Sequence, residues 1–145
     1  MSGLPTDDMP PTLSRERLEA AIGKTPFAVL LGARLLNYSF GKAELSIPFK
    51  ATITQHHGLA HGAILGFLAD SACSWAAASV AGDVVTSEYK INLIAPARGD
   101  MLIGRGEVIN ISGRQVVTRA DVFAVKERTQ TMVATALATI VKLKI

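Results

Sequence analysis

The spacing of hydrophobic residues changes several times along the chain. In residues 14–23, SRERLEAAIG, the side chains of Leu18, Ala21 and Ile22 form one apolar stripe at helical spacing. Ser14 is placed to cap this short helix and Gly23 to end it. From Val29 to Phe49 the pattern becomes β. Leu31, Leu35 and Leu36 precede a turn at Phe40-Gly41, and Ala43, Leu45 and Ile47 then alternate with Glu44 and Ser46, which predicts a hairpin ending at Pro48. Residues 50–60 read as a loop. From His61 to about Val80 the chain is apolar nearly all round, the mark of a helix enclosed by other structure. Its many Gly, Ala and Ser residues let other backbones approach, and Trp75, its one very large side chain, is expected in the core. After Gly82-Asp83 four strands are predicted, at about 84–95, 101–111, 115–125 and 131–143, with turn residues between them. On the third, Val116, Thr118, Ala120, Val122 and Ala124 share one face, opposite Gln115, Arg119 and Asp121.

This order is helix, hairpin, long buried helix, then a four-stranded meander, which is an α+β class. A curved antiparallel sheet wrapped around one long central helix would bury that helix on most sides, and a second subunit would cover the rest. The 145 residues suit a single domain. Residues 1–12, with Pro5, Pro10 and Pro11, read as a flexible N-terminal tail, and residues 13–145 as the domain.

Composition narrows the classes. A hydrophobic fraction of 49% with 19% charged residues excludes a disordered chain. The first residues, MSGLPTDDMPPT, lack the basic and apolar regions of a secretory leader. The charge-free stretches 59–69 and 71–82 are each too short to cross a membrane, and Asp70 divides them. Cys73 is the only cysteine, so no intrachain disulfide forms and a cytoplasmic location is expected. Residues 89–145 carry nine Lys/Arg against four Asp/Glu, whereas residues 1–88 carry six against eight. A basic half can attract a phosphate-bearing ligand. The basic residues are scattered without interleaved aromatics, so no nucleic-acid partner is expected.

The chemistry concentrates in residues 55–70, QHHGLAHGAILGFLAD. Asp70 is a lone carboxylate among Ile64, Leu65, Phe67, Leu68, Ala69 and Ala72, a costly ion to bury without a cavity or a task. Gly62 opens the helix, where backbone N–H groups lack partners and the dipole favours negative charge. Histidines 56, 57 and 61 include an i, i+4 pair, but it straddles Gly58 in a loop with no HExxH pattern, so no metal site is expected. His61 is expected to fix the loop through a backbone hydrogen bond. Cys73 has no neighbouring His or Lys in sequence to activate it and reads as core. Arg98, Arg105 and Arg114 are candidates for phosphate contacts.

Two stretches carry a family resemblance. Gln55-His56-His57-Gly58-Leu59-Ala60-His61-Gly62-Ala63, continued by Leu68-Ala69-Asp70, resembles the signature of hotdog-fold acyl-CoA thioesterases of the phenylacetic-acid-degradation (PaaI-like) type. Thr86 and the run from Ile91 to Ala97, followed by Gly99, resemble the strand after the helix. The element order fits from about residue 26 onward.

The resemblance implies a hotdog fold and an acyl-CoA thioesterase that releases free acid and coenzyme A. It implies Asp70 as the catalytic carboxylate, Gly62 as the N–H donor to the thioester carbonyl, Gln55 near that carbonyl, and Thr86 as the residue holding water or carboxylate. His57, Gly58, His61, Ala63, Arg98 and Arg114 would border the substrate. Two positions depart from the pattern: Gln55 stands for Asn, and Ala63 for the second Gly of His-Gly-Gly. No cofactor is implied beyond the coenzyme A of the substrate. The expected partners are acyl-CoA and the chain itself, as a homodimer or a dimer of dimers, with no membrane. Leu59, Phe67 and Leu68 suggest an apolar or aryl acyl group.

Asp70 could serve as general base or as nucleophile. Gly62 and Asp70 are eight residues apart on one helix, about 12 Å along its axis, so a site using both needs Gly62 of one protomer and Asp70 of another. The alternatives are a hotdog-type hydratase or dehydratase pairing a histidine with Asp70, and a non-catalytic acyl-CoA-binding protein.

Overall fold

The computed structural model describes residues 8–144; most of the expected tail, residues 1–7, lies outside them. Ser14 caps α1 (Arg15–Gly23), its hydroxyl accepting from the Arg17 N–H at 3.2 Å. The Thr12 N–H donates to the Ser79 carbonyl at 2.7 Å and its hydroxyl to that of Val80 at 3.1 Å, which ties the segment before α1 to the far end of the long helix.

The segment that opens the expected hairpin is instead a helix. Residues Pro26–Leu31 form α2, with Pro26 in its first turn and Gly32 closing it at φ 71°. Pro supplies a helical φ where its missing N–H costs nothing, and Gly supplies the left-handed stop. These end signals outweigh the β-like run of apolar residues between them. The hairpin proper is β1 (Arg34–Ser39) and β2 (Lys42–Pro48). A single 3-10 turn, Ala51–Ile53, starts the loop that leads into α3 (Gly62–Ala81).

The four later strands form as expected: β3 (Val84–Leu93), β4 (Met101–Ser112), β5 (Gln115–Lys126) and β6 (Thr129–Lys142). They are not a simple four-stranded meander. The sheet order is β1-β2-β4-β5-β6-β3, all antiparallel, so β4 pairs with the hairpin and β3 crosses to the far edge beside β6. Turn chemistry marks where strands end but leaves this choice of neighbour open, because any of the strands presents the same backbone ladder.

The sheet curls around α3, which packs on β1 to β6. The face of β5 with Val116, Thr118, Ala120, Val122 and Ala124 is buried against it. By length and apolarity α3 meets the description of a membrane span in spite of Asp70; here most of it is enclosed by the sheet. Trp75 is half-buried against the core.

The helix sits deep because side chains are missing beneath it. A methyl group on Gly104 of β4 would come 2.7 Å from the Leu68 carbonyl oxygen, and one on Gly106 would come 2.2 Å from that of Ala72. Both obstacles are backbone, so they yield only if the helix lifts. Substituting Gly106→Val is therefore expected to lower unfolding stability by about 1–3 kcal/mol or more, measured by denaturant titration. Gly23→Ala, whose methyl meets nothing within 4 Å, should leave the midpoint at or above the wild-type value.

Candidate active site

The loop before α3 is folded on itself. The Gln55 N–H donates to the Leu59 carbonyl (2.9 Å), and the Gly58 N–H to the Gln55 carbonyl (3.0 Å). Gly58 makes this turn at φ 80°, a conformation that glycine adopts without strain. The Gln55 side-chain oxygen accepts from the His57 N–H at 2.5 Å. Its amide nitrogen has no partner among the described residues. The loop is pinned by the His61 N–H on the carbonyl of Ile53, in the 3-10 turn, and by the Ala60 N–H on the carbonyl of Ala97, in the segment between β3 and β4, each 2.9 Å.

His61 is the N-cap of α3. Its ring Nδ1 accepts from the Ala63 N–H at 3.0 Å, while its own carbonyl accepts from Ile64 at 2.9 Å. The expected backbone hydrogen bond of His61 is thus present, and it takes up the N–H of Ala63. The Gly62 N–H between them has no acceptor among the described residues. It borders a cleft of about 360 Å³ whose walls include Gln55, Leu59, Leu65, Leu93, Ile94 and Pro96.

Asp70 lies two turns further along α3. The Thr86 hydroxyl donates to its Oδ1 at 2.6 Å. The residue is half-buried, Oδ2 has no partner among the described residues, and no unbonded side-chain oxygen is sealed from solvent. One oxygen is held and the other is open. Thr86 reaches α3 through an irregularity in β3. The pairing with β6 slips between Thr86 and Glu88, a bulge of one residue. Strand alternation would put residues 86 and 89 on opposite faces; the bulge turns both toward α3.

The same face of β3 tracks a row of i, i+4 positions on the helix. Leu93 lies against Gly62, Tyr89 against Gly66, and Thr86 against Asp70. Within one chain the cleft at Gly62 does not include Asp70, as the helical rise requires.

The other expected site residues are spread out. His57 is exposed and lies against His56, ring centroids 4.0 Å apart with the planes tilted by 42°, and Ala63 is exposed at the helix start. Arg98 is exposed, two residues beyond the cleft residue Pro96, with no ion-pair partner among the described residues. Arg114 donates from Nε and Nη2 to the Lys142 carbonyl (3.2 and 3.0 Å), at the strand end that pairs with Val84. Arg105 is engaged by Glu44 and Gln130 over the Phe123 ring. Of the three expected acyl-facing residues only Leu59 lines the cleft; Phe67 packs edge-on against Phe27, and Leu68 is fully buried. Leu93, Ile94 and Pro96 were not singled out by sequence, although the apolar run from Ile91 to Ala97 was the available signal.

A second cleft, about 340 Å³, lies at the β1–β2 end near Tyr38, Glu44, Arg105 and Arg119, away from Asp70 and Gly62. Among the described residues no three His, Cys, Asp or Glu side chains are grouped to hold a metal ion.

Comparison with known proteins agrees with this geometry. The sequence profile of the thioesterase superfamily matches residues 57–131, just over half the chain. The chain belongs to that superfamily. A thioesterase family protein from Silicibacter pomeroyi superposes with a TM-score of 0.81 at 33% identity, covering 86% of this chain and 93% of that one. A mutant of the phenylacetic acid degradation protein PaaI from Thermus thermophilus superposes with a TM-score of 0.73 at 29% identity, over 81% and 99% of the two chains. A provisional esterase of Halobacterium salinarum is 32% identical over 104 residues, 63% of this chain and 69% of that protein. This member of the thioesterase superfamily is therefore a hotdog-fold protein of the PaaI-like type.

Cys73, three residues beyond Asp70, is fully buried in this thioesterase-superfamily fold. Burial pushes its thiol up to about 11; a bond to Thr118 pulls it down and the Asp70 charge adds to the rise. It is no nucleophile at neutral pH. From pH 9 toward 11 the unfolded chain gives up the thiol proton while the folded chain keeps it, so stability falls, by about 2–3 kcal/mol from this group. Thermal melts at pH 8 and pH 10.5 should show the loss, and Cys73→Ala should reduce it. Removing the helix cap with His61→Ala should cost about 0.5–2 kcal/mol in chemical unfolding, and His61→Asn should recover part of it.

Proposed function

We propose that this protein is a cytoplasmic acyl-CoA thioesterase that works as a homodimer, with each site shared between subunits. The observation that carries the reading is the pairing of two unspent groups on one helix. Gly62 leaves an unbonded N–H at the positive end of α3, and Asp70 leaves one carboxylate oxygen open while Thr86 holds the other.

In each site the Gly62 N–H of one subunit, with the Gln55 amide nitrogen beside it, receives the thioester carbonyl oxygen. Asp70 of the partner subunit faces the carbonyl carbon. As a general base it takes a proton from water as the water oxygen bonds to that carbon, and the charge that develops on the carbonyl oxygen is met by the N–H groups. Collapse breaks the carbon–sulfur bond, and the proton held by the carboxylate passes to the leaving thiolate. Direct attack by the carboxylate, through an anhydride that water then opens, uses the same placement. The chemistry is supplied by protein groups, and coenzyme A enters only as part of the substrate.

Leu59, Leu65 and Leu93 make the cleft apolar, which suits an apolar or aryl acyl-CoA, and Arg98 stands exposed nearby for the phosphates of the carrier. The dimer also answers an exposure problem. β3 is an edge strand, and Val85, Leu93 and Ile94 on and just after it are about half exposed in the single chain. The hydratase alternative would pair Asp70 with a histidine; within one chain Asp70 is bonded instead by Thr86, and His61 uses Nδ1 on the helix cap.

Thiol release from a panel of acyl-CoAs should fall about 10²–10⁴-fold in Asp70→Asn. Gly62→Pro, which removes one N–H at a helix position suited to proline, should cost about 10²–10³-fold. Mixing the two inactive variants under subunit exchange should restore roughly a quarter of wild-type activity, through mixed dimers with one intact site each. A mixture that stays inactive would rule out the shared site. Tight binding of acyl-CoA without release from any thioester would replace the hydrolase reading with that of a binding protein.

A further inference from the structure

Tyr89 has no part in the chemistry above, yet it lies between its two halves. Its hydroxyl rests on Gly66 so closely that a methyl group there would come within 2.9 Å of the oxygen. The hydroxyl has no hydrogen-bond partner among the described residues, and the residue is 42% exposed in the single chain. The neighbouring contacts of β3 are Thr86 on Asp70, one turn of α3 later, and Leu93 on Gly62, one turn earlier.

The next step rests on the shared-site reading. If Gly62 faces Asp70 of the partner subunit, two-fold symmetry makes Asp70 face Gly62 of the partner subunit. Two such contacts at the ends of one rigid helical segment force the two copies of α3 to run antiparallel. Residue 66 is the midpoint of residues 62 and 70, so the dyad passes beside Gly66. Each site then lies about 6 Å from the dyad along the helix, half of the roughly 12 Å between Gly62 and Asp70. The side chain lying on Gly66, and so nearest the dyad, is Tyr89.

We propose that Tyr89 meets Tyr89 of the partner subunit at the dyad, and that this pair is the wall dividing the two active sites and limiting the length of acyl group each accepts. A tyrosine hydroxyl both donates and accepts, so two of them satisfy each other across a symmetry axis. The charged carrier must extend to solvent, on the side where Arg98 is exposed. That leaves the direction toward the dyad for the acyl chain, which ends against the ring.

Placement and selectivity are tested separately. Tyr89→Cys treated with a bis-maleimide long enough to span the space of the two phenol rings, since a direct disulfide needs Cα atoms within about 7 Å, should run as a covalent dimer on a denaturing gel, and Asn110→Cys, on β4, should not. Cys73 is fully buried and does not compete. A Tyr89→Cys protein that stays uncrosslinked overturns the dyad placement, whatever the protein hydrolyses. In thiol-release assays Tyr89→Ala should raise kcat/KM for long-chain relative to short-chain acyl-CoAs by about 10-fold or more, whereas Tyr89→Phe should keep the wild-type length profile. A uniform loss across the panel in Tyr89→Ala overturns the selectivity role. Wild-type-level hydrolysis by Asp70→Asn would instead overturn the catalytic assignment, leaving the crosslink to report on Tyr89 alone.

Discussion

Everything in this structure depends on how deeply one helix can enter the curve of one sheet. Side chains are absent where α3 and β4 meet: Gly104 and Gly106 lie under the carbonyls of Leu68 and Ala72, and no methyl group fits at either contact. Close approach of two backbones replaces interdigitated side chains, and the alanines of α3 continue the same economy of volume. With its depth set this way, the helix presents to β3 the row Gly62, Gly66 and Asp70, and that row is where the unspent polar groups are.

Polar groups at the site divide into those that hold the framework and those left free. His61 spends its ring nitrogen on the helix start and so leaves the preceding N–H, that of Gly62, as the open donor. Gln55 spends its oxygen on its own loop and keeps its amide hydrogens. Thr86 spends its hydroxyl on one oxygen of Asp70 and leaves the other. In each case one hydrogen bond orients the group and a second capacity faces outward. The proposed chemistry draws on those outward capacities, and under it each chain supplies half of two sites.

The helices, the hairpin turn and all four later strands were legible in the sequence because each is written in local terms: Ser14 and His61 at helix starts, period-two alternation in Ala43 to Ile47 and Val116 to Ala124, and turn residues between strands. The exception is the short second helix. Residues 29–31 read as the start of the hairpin because a short run of apolar residues is the same in a helix as in a strand, and Pro26 and Gly32 carry the distinction. Asp70 and Gly62 stood out because a charge and a bare backbone are at odds with their neighbours. The resemblance also placed Thr86 in the site, and the structure finds it bonded to Asp70. Nothing in the sequence sets Tyr89 on the face of Thr86: strict alternation would put residues 86 and 89 on opposite faces, and the bulge that reunites them leaves no mark in composition.

What the sequence alone determined is therefore the set of elements apart from α2, the family they resemble and the two residues around which a site could form, since periodicity, caps and an out-of-place carboxylate are local properties. Only the tertiary structure decided that β3 runs at the sheet edge beside β6, that a bulge aims Thr86 and Tyr89 at the same helix face, and that Arg114 is tied to a carbonyl while Arg98 is exposed. Strand neighbours, bulges and side-chain partners are settled by long-range packing, in which several local patterns compete for the same hydrogen bonds and only the whole fold selects among them.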